Sequence, residues 1–457
     1  MKSRPKAFFP DPERAPRILP YMGNSKGATR SYTDKAIRKG WLMYDWANSA
    51  YFLVITTAIF PIFYNAITTT EGPTGTNSDV VAFFGRDFIN TQLYSYVIGA
   101  SFLIVIVSTP LLAGMADYLG RKLQFLKFFC YLGASGCLGL FWFDPSHLEW
   151  SMSALFMANI GAWGSLGFYN AFLPEIAPKE DQDLLSAKGF SWGFAGSVLL
   201  LLMCLALIMG IGDHLTRWAF IAVGLWWAGW AQITFRRLPT QTKVRPDGNI
   251  LWQGFRELRN VAKELKGKTR IVRYLISFFV MSMAVQTIML MASSFGIKEV
   301  QLATDELIVA IILVQIIAIP GSFIFSWLCQ RHGNVKVLLL ATSLWTGVCL
   351  FAYFLVDGSL MFFIAAGIIG FMMGGTQSVN RSTYAKMLPK TEDTASYFSF
   401  YEVLEKTGVV IGLFSWGYIE GFTGSMRNSL LALIVFFIVA MVLLASIPQA
   451  TDEGQLA

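Results

Sequence analysis

The chain has 457 residues, of which 54% are hydrophobic and only 14% are charged. Soluble domains carry about 25% charged residues, so this composition excludes an ordinary soluble domain and predicts an integral membrane protein. The net charge of +7 does not indicate a nucleic-acid partner, because the cations are spread over membrane-adjacent segments instead of forming one basic face.

Apolar stretches of about 20 residues, the length that a membrane-spanning helix needs, occur twelve times. They lie at 41–66, 91–113, 123–143, 150–172, 187–211, 215–235, 274–296, 307–329, 337–357, 360–380, 396–419 and 428–447. This pattern predicts an all-α membrane protein with twelve transmembrane helices in two pseudo-symmetric six-helix bundles. The expected divisions are a basic tail at 1–40, an N-terminal bundle at 41–235, a linker at 236–273, a C-terminal bundle at 274–447 and a tail at 448–457.

Lysine and arginine are distributed unequally between the two predicted sides of the membrane. With the N-terminus inside, 32 of the 36 cations fall on the cytoplasmic side, ten of them in 1–40 and eleven in 236–273. Cytoplasmic loops of membrane proteins carry an excess of these residues, so we expect both tails in the cytoplasm. Residues 1–40 contain no apolar core of a signal peptide, and we interpret them as a cytoplasmic tail that contacts anionic lipids.

The first predicted span carries a stripe of polar residues. Asp45, Asn48 and Thr56 fall on one helical face together with Ser49 and Phe52. Such a stripe is expected to point into the bundle or a water-filled cavity, not to lipid. For Asp45, a helix-terminal acid at the level of the lipid headgroups is an equally good interpretation.

A short polar stretch at 114–122 separates the second and third predicted spans. Its glycines permit a tight turn and close helix approach, and Asp117 can accept hydrogen bonds from the N-terminus of a helix. Arg121 and Lys122 can bind acids or lipid phosphates. Glu175, after the fourth span, is either a loop acid or a partner for a nearby cation. The plain alternative for the whole stretch is a well-anchored turn.

A similar stretch appears at 327–335, between the eighth and ninth predicted spans. Gly333 stands where Gly120 stands in the first copy, and Gln330 takes the place of Asp117. The repeat predicts two similar halves.

The linker between the halves is basic and partly periodic. Residues 251–265 place apolar side chains at helical spacing with cations opposite. This pattern predicts an amphipathic helix that lies on the inner membrane surface and contacts anionic lipids.

Charged side chains also lie within the second half. Glu402, Glu405 and Lys406 share an arc of about 100° on the eleventh span, and charges at this depth need partners or water. Glu402 and Lys406 can pair at i, i+4, which leaves one acid for Arg381 of the tenth span. A solvated first helical turn at the cytoplasmic mouth is the alternative.

Other chemistry is not indicated. The five cysteines lack paired spacing and the three histidines share no ligand spacing, so we expect no metal and no cofactor. No glycine-rich phosphate loop is present, and a gradient would have to drive any transport. Gln286 and the methionines around it in the seventh span are either part of an apolar pocket or ordinary core. These methionines are Met281, Met283, Met289 and Met291.

The stretch at 114–122 resembles the cytoplasmic-loop signature of the major facilitator superfamily, with glycine, aspartate, glycine, arginine and lysine in the same order. More narrowly, the segments 45–51 (DWANSAY), 170–175 (NAFLPE) and 375–382 (GTQSVNRS) resemble the vacuole effluxer family. Fungal members of that family are autophagy-linked amino-acid exporters, and it has many bacterial relatives. The resemblance covers about 41–447, and the compact length fits a bacterial member in the inner (plasma) membrane better than a vacuolar one.

The resemblance implies the major facilitator fold and alternating access, in which two halves rock about a site near the bilayer midplane. It also implies that Asp117 and Arg121 form a charge network with the start of the eleventh span and hold the cytoplasmic side shut. Because Gln330 replaces the aspartate in the second copy, a symmetric second latch is not expected.

Two groups of functional residues are therefore predicted. The cytoplasmic gate consists of Gly114, Asp117, Gly120, Arg121, Lys122 and Glu175. The substrate or proton pathway consists of Asp45, Asn48, Tyr51, Asn170, Gln286, Gln377, Asn380, Arg381, Tyr401, Glu402, Glu405 and Lys406.

The expected function is secondary active transport that exports or exchanges small solutes such as amino acids, with proton coupling through Glu402 or Glu405. Multidrug or other organic-solute efflux by the same fold is one alternative, and a non-transporting membrane sensor or scaffold is another. An enzyme such as a membrane acyltransferase is not expected, because no His-Asp or Ser-His spacing offers a nucleophile and base. We expect a monomer in the lipid bilayer that binds a small-molecule substrate and no nucleic acid.

Overall fold

The fold is given by a computed structural model that describes residues 34–71, 77–240 and 249–448. Residues 1–33 of the predicted basic tail and 449–457 of the C-terminal tail lie outside the described residues.

A long helix lies at each of the twelve predicted spans. The helices are α1 (Asp34–Thr68), α2 (Asn90–Leu119), α3 (Lys122–Gly139), α4 (Leu148–Asn170), α5 (Lys179–Ile211), α6 (Thr216–Arg237), α7 (Thr269–Lys298), α8 (Thr304–His332), α9 (Asn334–Leu355), α10 (Ser359–Met387), α11 (Thr394–Thr423) and α12 (Met426–Ala445). Among the described residues, nine of these helices are long and apolar enough to cross a membrane by length and composition alone. The other three are α4, α6 and α11, whose glycine, tryptophan or charged residues lower the mean hydropathy.

Two helices begin about two turns earlier than predicted. α1 begins at Asp34, so the last part of the predicted tail at 1–40 is already helical. α5 begins at Lys179 and not at 187, because Pro178 in extended conformation starts the helix and Glu180 and Asp181 lie in its first turn. Acids in a first turn are stabilised by the positive end of the helix dipole, which favours a helix in this polar segment.

The helices form two bundles, α1–α6 and α7–α12, that repeat one packing pattern at an offset of six helices. In the first bundle α1 packs on α5 and α6, α3 packs on α4 and α6, and α2 packs on α4. In the second bundle α7 packs on α11 and α12, α9 packs on α10 and α12, and α8 packs on α10. The contacts between the bundles repeat as well, since α5 packs on α8 and α10 while α11 packs on α2 and α4. The predicted pseudo-symmetric architecture is confirmed.

Short elements connect the helices. Three single turns of 3-10 helix lie at Leu140–Trp142, Pro145–His147 and Asp213–Leu215, and a short α-helix lies at Leu173–Ile176. The loop before α2 contains two antiparallel strand pairs. β1 (Thr70–Glu71) pairs with β2 (Asn77–Ser78), and β3 (Val80–Phe83) pairs with β4 (Arg86–Ile89).

A helix at Ile250–Lys266, which we call the linker helix, connects the bundles. The sequence predicted that its apolar stripe would face the membrane, but Val261 and Leu265 are buried against the protein. Gly254 lies against Gly114 of α2 so closely that a Cβ on either residue would collide with the other helix. The apolar stripe of the linker helix therefore packs on the transmembrane bundle.

Candidate functional site

A cavity of about 230 Å³ lies between the two bundles. Ten of the twelve residues predicted for a substrate or proton pathway line it. They are Asp45, Asn48, Asn170, Gln286, Gln377, Asn380, Arg381, Tyr401, Glu402 and Glu405. The cavity is lined by residues of both bundles, as a site used in alternating access requires.

The other two predicted residues lie behind the cavity wall. Tyr51 is fully buried and its hydroxyl donates a hydrogen bond to Asn159 Oδ1 at 3.2 Å. Lys406 is also fully buried, and its ammonium lies 4.8 Å from the ring centre of Trp163. Of the methionines near Gln286, Met281 and Met289 line the cavity.

The first helix changes its geometry where it borders the cavity. Tyr51–Ile59 is π-helical, and π segments within α-helices are frequent at functional sites. The wider turn brings Thr57 to the cavity beside Thr56, and the Thr57 hydroxyl donates to the Phe52 carbonyl at 2.8 Å. Regular helical spacing predicted the face with Asp45, Asn48, Ser49, Phe52 and Thr56, and this face does line the cavity.

Two carboxylates and one ammonium form a cluster on α11. Lys406 binds Glu402, as the i, i+4 spacing predicted, and also lies 3.1 Å from Glu405 Oε2. Asn170 of the first bundle donates to Glu402 Oε1 at 3.0 Å, and Gln286 donates to Glu405 Oε1 at 2.9 Å. The Glu405 side chain is 15% exposed, whereas that of Glu402 is 2% exposed, so Glu405 is the acid that is accessible from the cavity.

Arg381 does not pair with the second acid of α11, and that prediction is wrong. Its guanidinium crosses to the first bundle, where Nη1 lies 3.1 Å from Asp45 Oδ2 and Nη2 donates to the Ser186 carbonyl at 2.8 Å. The guanidinium also lies 4.1 Å from the ring centre of Phe190 and 4.7 Å from that of Trp41. The physical reason is that Lys406 already binds both acids, while Asp45 has no other cation beside it among the described residues.

Asp45 is accordingly a buried ion-pair partner and not an acid exposed at the headgroup level. It is 6% exposed and accepts a second hydrogen bond from the Tyr169 hydroxyl at 2.7 Å. We call Asp45, Ser186 and Arg381 the cavity floor. Because the floor joins α1 and α5 of one bundle to α10 of the other, it links the two halves of the molecule.

Below the floor lies the end of the molecule that carries the α2–α3, α4–α5, α8–α9 and α10–α11 turns, which we call the basic end. Here Asp117 accepts hydrogen bonds from the first backbone amides of α11, at 3.3 Å from Ala395 N and 2.6 Å from Ser396 N. An acid at a helix N-terminus satisfies amides that have no partner within the helix and is stabilised by the helix dipole. This contact joins α2 of the first bundle to α11 of the second.

Lys122 completes this first cross-bundle contact, in the role that had been expected for Arg121. Lys122 is 4% exposed, binds Glu175 and donates to Thr394 Oγ1 at 2.8 Å. Arg121 is exposed and forms no ion pair with another described residue. The difference follows from Gly120, whose left-handed backbone (φ +65°) turns the chain so that Arg121 lies outside and Lys122 begins α3.

A second cross-bundle contact at the basic end was not predicted. Asp183 of α5 binds Lys386 of α10 and accepts from Asn334 Nδ2 at 2.8 Å. Asn334 also donates to Thr383 Oγ1 at 3.0 Å. A symmetric second latch was not expected, because Gln330 replaces the aspartate of the first copy, and in this contact the acid comes from α5 instead. Its signal in the sequence was the acidic run at 180–183, which lies in the first turns of α5 and outside the predicted span at 187–211.

All cross-bundle hydrogen bonds found among residues 34–71, 77–240 and 249–448 lie at the basic end or around the cavity. The one that lies farthest from the basic end is near the middle of α5 and α8, where Ser191 Oγ donates to the Ile319 carbonyl at 3.5 Å. The described segments contain none at the opposite end, where Lys298 pairs with Glu420 and Arg427 with Asp357 within one bundle. Cross-bundle hydrogen bonds therefore join the two bundles at the basic end and leave them unjoined at the opposite end of the described segments.

No group of His, Cys, Asp and Glu with the arrangement of a metal site occurs in the part of the chain that the structure describes. The five cysteines are buried and form no disulfide, and buried free cysteines behave as small apolar residues.

Two six-helix bundles with repeated packing, a polar cavity between them and ion pairs across one end define a membrane transporter of the major facilitator class. The fold is similar to that of the major facilitator superfamily transporter FucP in its outward conformation, with a TM-score of 0.63 and 13% sequence identity over 91% of this chain and 99% of FucP.

Residues 33–455 match the family described as vacuole effluxer Atg22 like, and the chain belongs to that family. It is 28% identical over 422 residues to the uncharacterized MFS-type transporter YxiO of Bacillus subtilis (strain 168), covering 90% of this chain and 95% of the relative. It is 22% identical over 397 residues to autophagy-related protein 22 of Kluyveromyces lactis, covering 79% and 80% of the two chains. The predicted family is confirmed, and the similarity to a bacterial protein fits the predicted bacterial type.

Proposed function

We propose that the protein exports or exchanges small zwitterionic solutes such as amino acids across the bacterial plasma membrane, with protons as the coupling ion. The observation that carries this proposal is the charge balance of the cavity. Three carboxylates, of Asp45, Glu402 and Glu405, lie in its wall, but only two cations of the described residues, Arg381 and Lys406, lie beside them. A charge within a membrane costs on the order of 3 kcal/mol, so an excess carboxylate favours binding of a proton or a cationic group.

The positions of these charges support a zwitterionic substrate. Glu405 is accessible from the cavity and offers a partner for an ammonium group, while Arg381 in the floor offers a partner for a carboxylate. Between them the wall is aromatic, and it includes Phe52, Trp163 and Phe278. We propose that a substrate side chain packs against these rings.

Competition for Glu405 would couple transport to protons. A proton and a substrate ammonium each neutralise the same carboxylate, so binding of one disfavours binding of the other. A carrier with such a site moves a proton in one direction and a substrate molecule in the other. This exchange would use the inward proton gradient of a bacterial plasma membrane to export the substrate.

The proposal also assigns the sides of the membrane. We place the basic end in the cytoplasm, because most Lys and Arg residues lie in the segments on that side. With this assignment, the cross-bundle contacts of Asp117 and Asp183 close the cytoplasmic side and the structure represents an outward-facing state.

The test is amino-acid transport by the purified protein in proteoliposomes, with and without an imposed pH gradient. We expect Glu405→Gln to lose pH-driven accumulation by at least about tenfold, since one lost charge interaction of 1.4 kcal/mol corresponds to a factor of ten. Glu420→Gln is the matched control, because Glu420 lies on the same helix but pairs with Lys298 at the opposite end. Undiminished, pH-dependent transport by Glu405→Gln would remove Glu405 from the coupling role.

Efflux of larger organic cations is a second candidate, favoured by the aromatic wall. The cavity volume of about 230 Å³ argues against it, because sites for drug-sized molecules measure about 300–1,000 Å³. Tetraphenylphosphonium transport in the same proteoliposomes separates the two candidates: transport of this cation without transport of any amino acid would favour the second.

A further inference from the structure

The linker helix presents two different faces. The face that contains Gly254, Val261 and Leu265 is buried against the bundle. The opposite face combines two exposed aromatic residues with four exposed cations. These residues are Trp252, Phe255, Arg256, Arg259, Lys263 and Lys266, which we call the outer face of the linker helix.

The outer face has the composition of a membrane-interface surface. Trp252 is 68% exposed and Phe255 is 49% exposed, and their rings stack with centres 5.9 Å apart. Tryptophan is enriched at the level of the lipid headgroups, where one part of the side chain is apolar and another forms hydrogen bonds. A cluster of four or more Lys and Arg residues on a membrane-adjacent helix is typical of surfaces that bind anionic lipid headgroups, and exposed aromatic rings lie at the same level of the bilayer.

The position of the linker helix relative to α2 supports this partner. Leu103 and Val107 of α2 are 60% and 75% exposed, as expected for side chains that face lipid tails. The linker helix contacts α2 at Gly114, seven residues further along the helix. At a rise of 1.5 Å per residue, this separation is about 10 Å. The linker helix therefore contacts α2 at a level that is closer to the headgroups than Leu103 and Val107 are.

From these observations we propose that the outer face of the linker helix binds the anionic phospholipid headgroups of the surrounding bilayer. The four cations supply the charge complementarity, and the stacked Trp252 and Phe255 enter the boundary between headgroups and tails. The surface is independent of the transported substrate.

The binding has a consequence for the contacts between the bundles. The linker helix packs on α2 and also touches α11, and these are the two helices that Asp117 joins. A helix anchored to the bilayer through its outer face and to α2 through Gly254 restrains the position of α2. Anionic lipid is therefore expected to influence how readily the basic end opens.

The experiment measures the depth of the linker helix in nanodiscs that contain the full-length protein. A spin label is placed by Asn260→Cys, an exposed position beside the outer face, and the five native cysteines are buried. Collision with oxygen and with a water-soluble nickel relaxant reports the depth of the label. Nanodiscs of phosphatidylcholine alone are compared with nanodiscs that contain about one third phosphatidylglycerol.

We expect the label to move toward the headgroups only when phosphatidylglycerol is present. Neutralising the four cations to Gln should abolish this movement, since each Lys or Arg near an anionic surface contributes about a fivefold change in binding. The matched control neutralises four exposed cations elsewhere at the basic end to Gln and should behave as the unmodified protein does. The four control positions are Lys188, Arg236, Lys336 and Lys390.

Three results would overturn the proposal. One is an identical depth in both kinds of nanodisc, and another is an equal response of the two neutralised variants. The third is the same change in phosphatidylcholine nanodiscs after addition of the soluble polyanion inositol hexaphosphate, which would identify a soluble anion and not the bilayer as the partner. Gel filtration of each variant before reconstitution checks that the protein is folded.

Discussion

Removing the guanidinium from the cavity floor should open the basic end. Asp45 is 6% exposed in the parent protein, and in Arg381→Met it loses its ion pair but keeps the hydrogen bond from Tyr169. The Ser186 carbonyl also loses the hydrogen bond that Arg381 Nη2 donates at 2.8 Å. Breaking a buried ion pair by removing one partner costs about 3–5 kcal/mol, because the remaining charge is left without compensation.

The free-energy cost of the unpaired charge applies to the closed conformation. Asp45 and Arg381 belong to different bundles, so their contact exists only while the bundles meet at the floor. If the bundles separate at the basic end, water reaches Asp45 and the penalty disappears. A penalty of about 3–5 kcal/mol on the closed state shifts the ratio of open to closed molecules by a factor of about 10² to 5 × 10³.

The assay is a distance distribution between two spin labels across the basic end, measured by pulsed electron paramagnetic resonance. Glu180→Cys and Lys390→Cys place the labels at exposed positions on either side of the bundle interface. We expect a short distance in the parent protein and a longer one in Arg381→Met. Arg331→Met is the control, because Arg331 is an exposed cation of the same bundle that lies over Trp327.

A second variant guards against simple misfolding. In Asp45→Asn combined with Arg381→Met no buried charge remains in the floor, so part of the closed population should return. If Arg381→Met folds and keeps the short distance of the parent, the floor does not hold the bundles together and the reasoning is refuted.

Three further variants are predicted to act at the basic end, all measured with the same pair of labels. Asp117→Asn removes the charge at the N-terminus of α11. It should raise the open fraction about tenfold, because hydrogen bonds to charged groups contribute about 1.5–3 kcal/mol. An unchanged open fraction would show that the amides find other partners. Asp183→Asn removes the partner of Lys386 and should have a smaller effect, since Lys386 is partly exposed and can be hydrated; an effect larger than that of Asp117→Asn would contradict this order. Gly254→Leu should displace the linker helix from Gly114 and increase the open fraction. Asn260→Leu on the exposed side of the same helix is the control. Equal distances between the two spin labels in both variants would show that the linker helix does not restrain α2.

Much of the architecture follows from the sequence because a lipid environment allows few solutions. Backbone groups within a bilayer have to be paired internally, so apolar stretches of spanning length become helices, and all twelve predicted positions are helical. The polar stripe of α1 and the charged arc of α11 were also predictable, since polar groups on spanning helices avoid lipid. The stripe and the two acids of the arc line the cavity.

The identity of the ionic partners was decided by tertiary structure. Sequence spacing determines which residues share a helical face, and it placed Glu402 near Lys406 correctly. It does not determine which helices of different bundles meet, so Arg381 was assigned to an acid of α11 although Asp45 lies 3.1 Å from it across the interface.

The same limit explains the errors at the basic end and in the linker. An amphipathic pattern shows that a helix buries its apolar stripe, but either protein or lipid can cover that stripe. In this structure the stripe packs on the protein, where Gly254 contacts Gly114 of α2. At 114–122 the sequence by itself determined a turn with an acid and two cations. Only the packed structure decided that Asp117 and Lys122 contact α11 while Arg121 remains outside, because the left-handed turn at Gly120 sets the direction in which each side chain leaves the backbone.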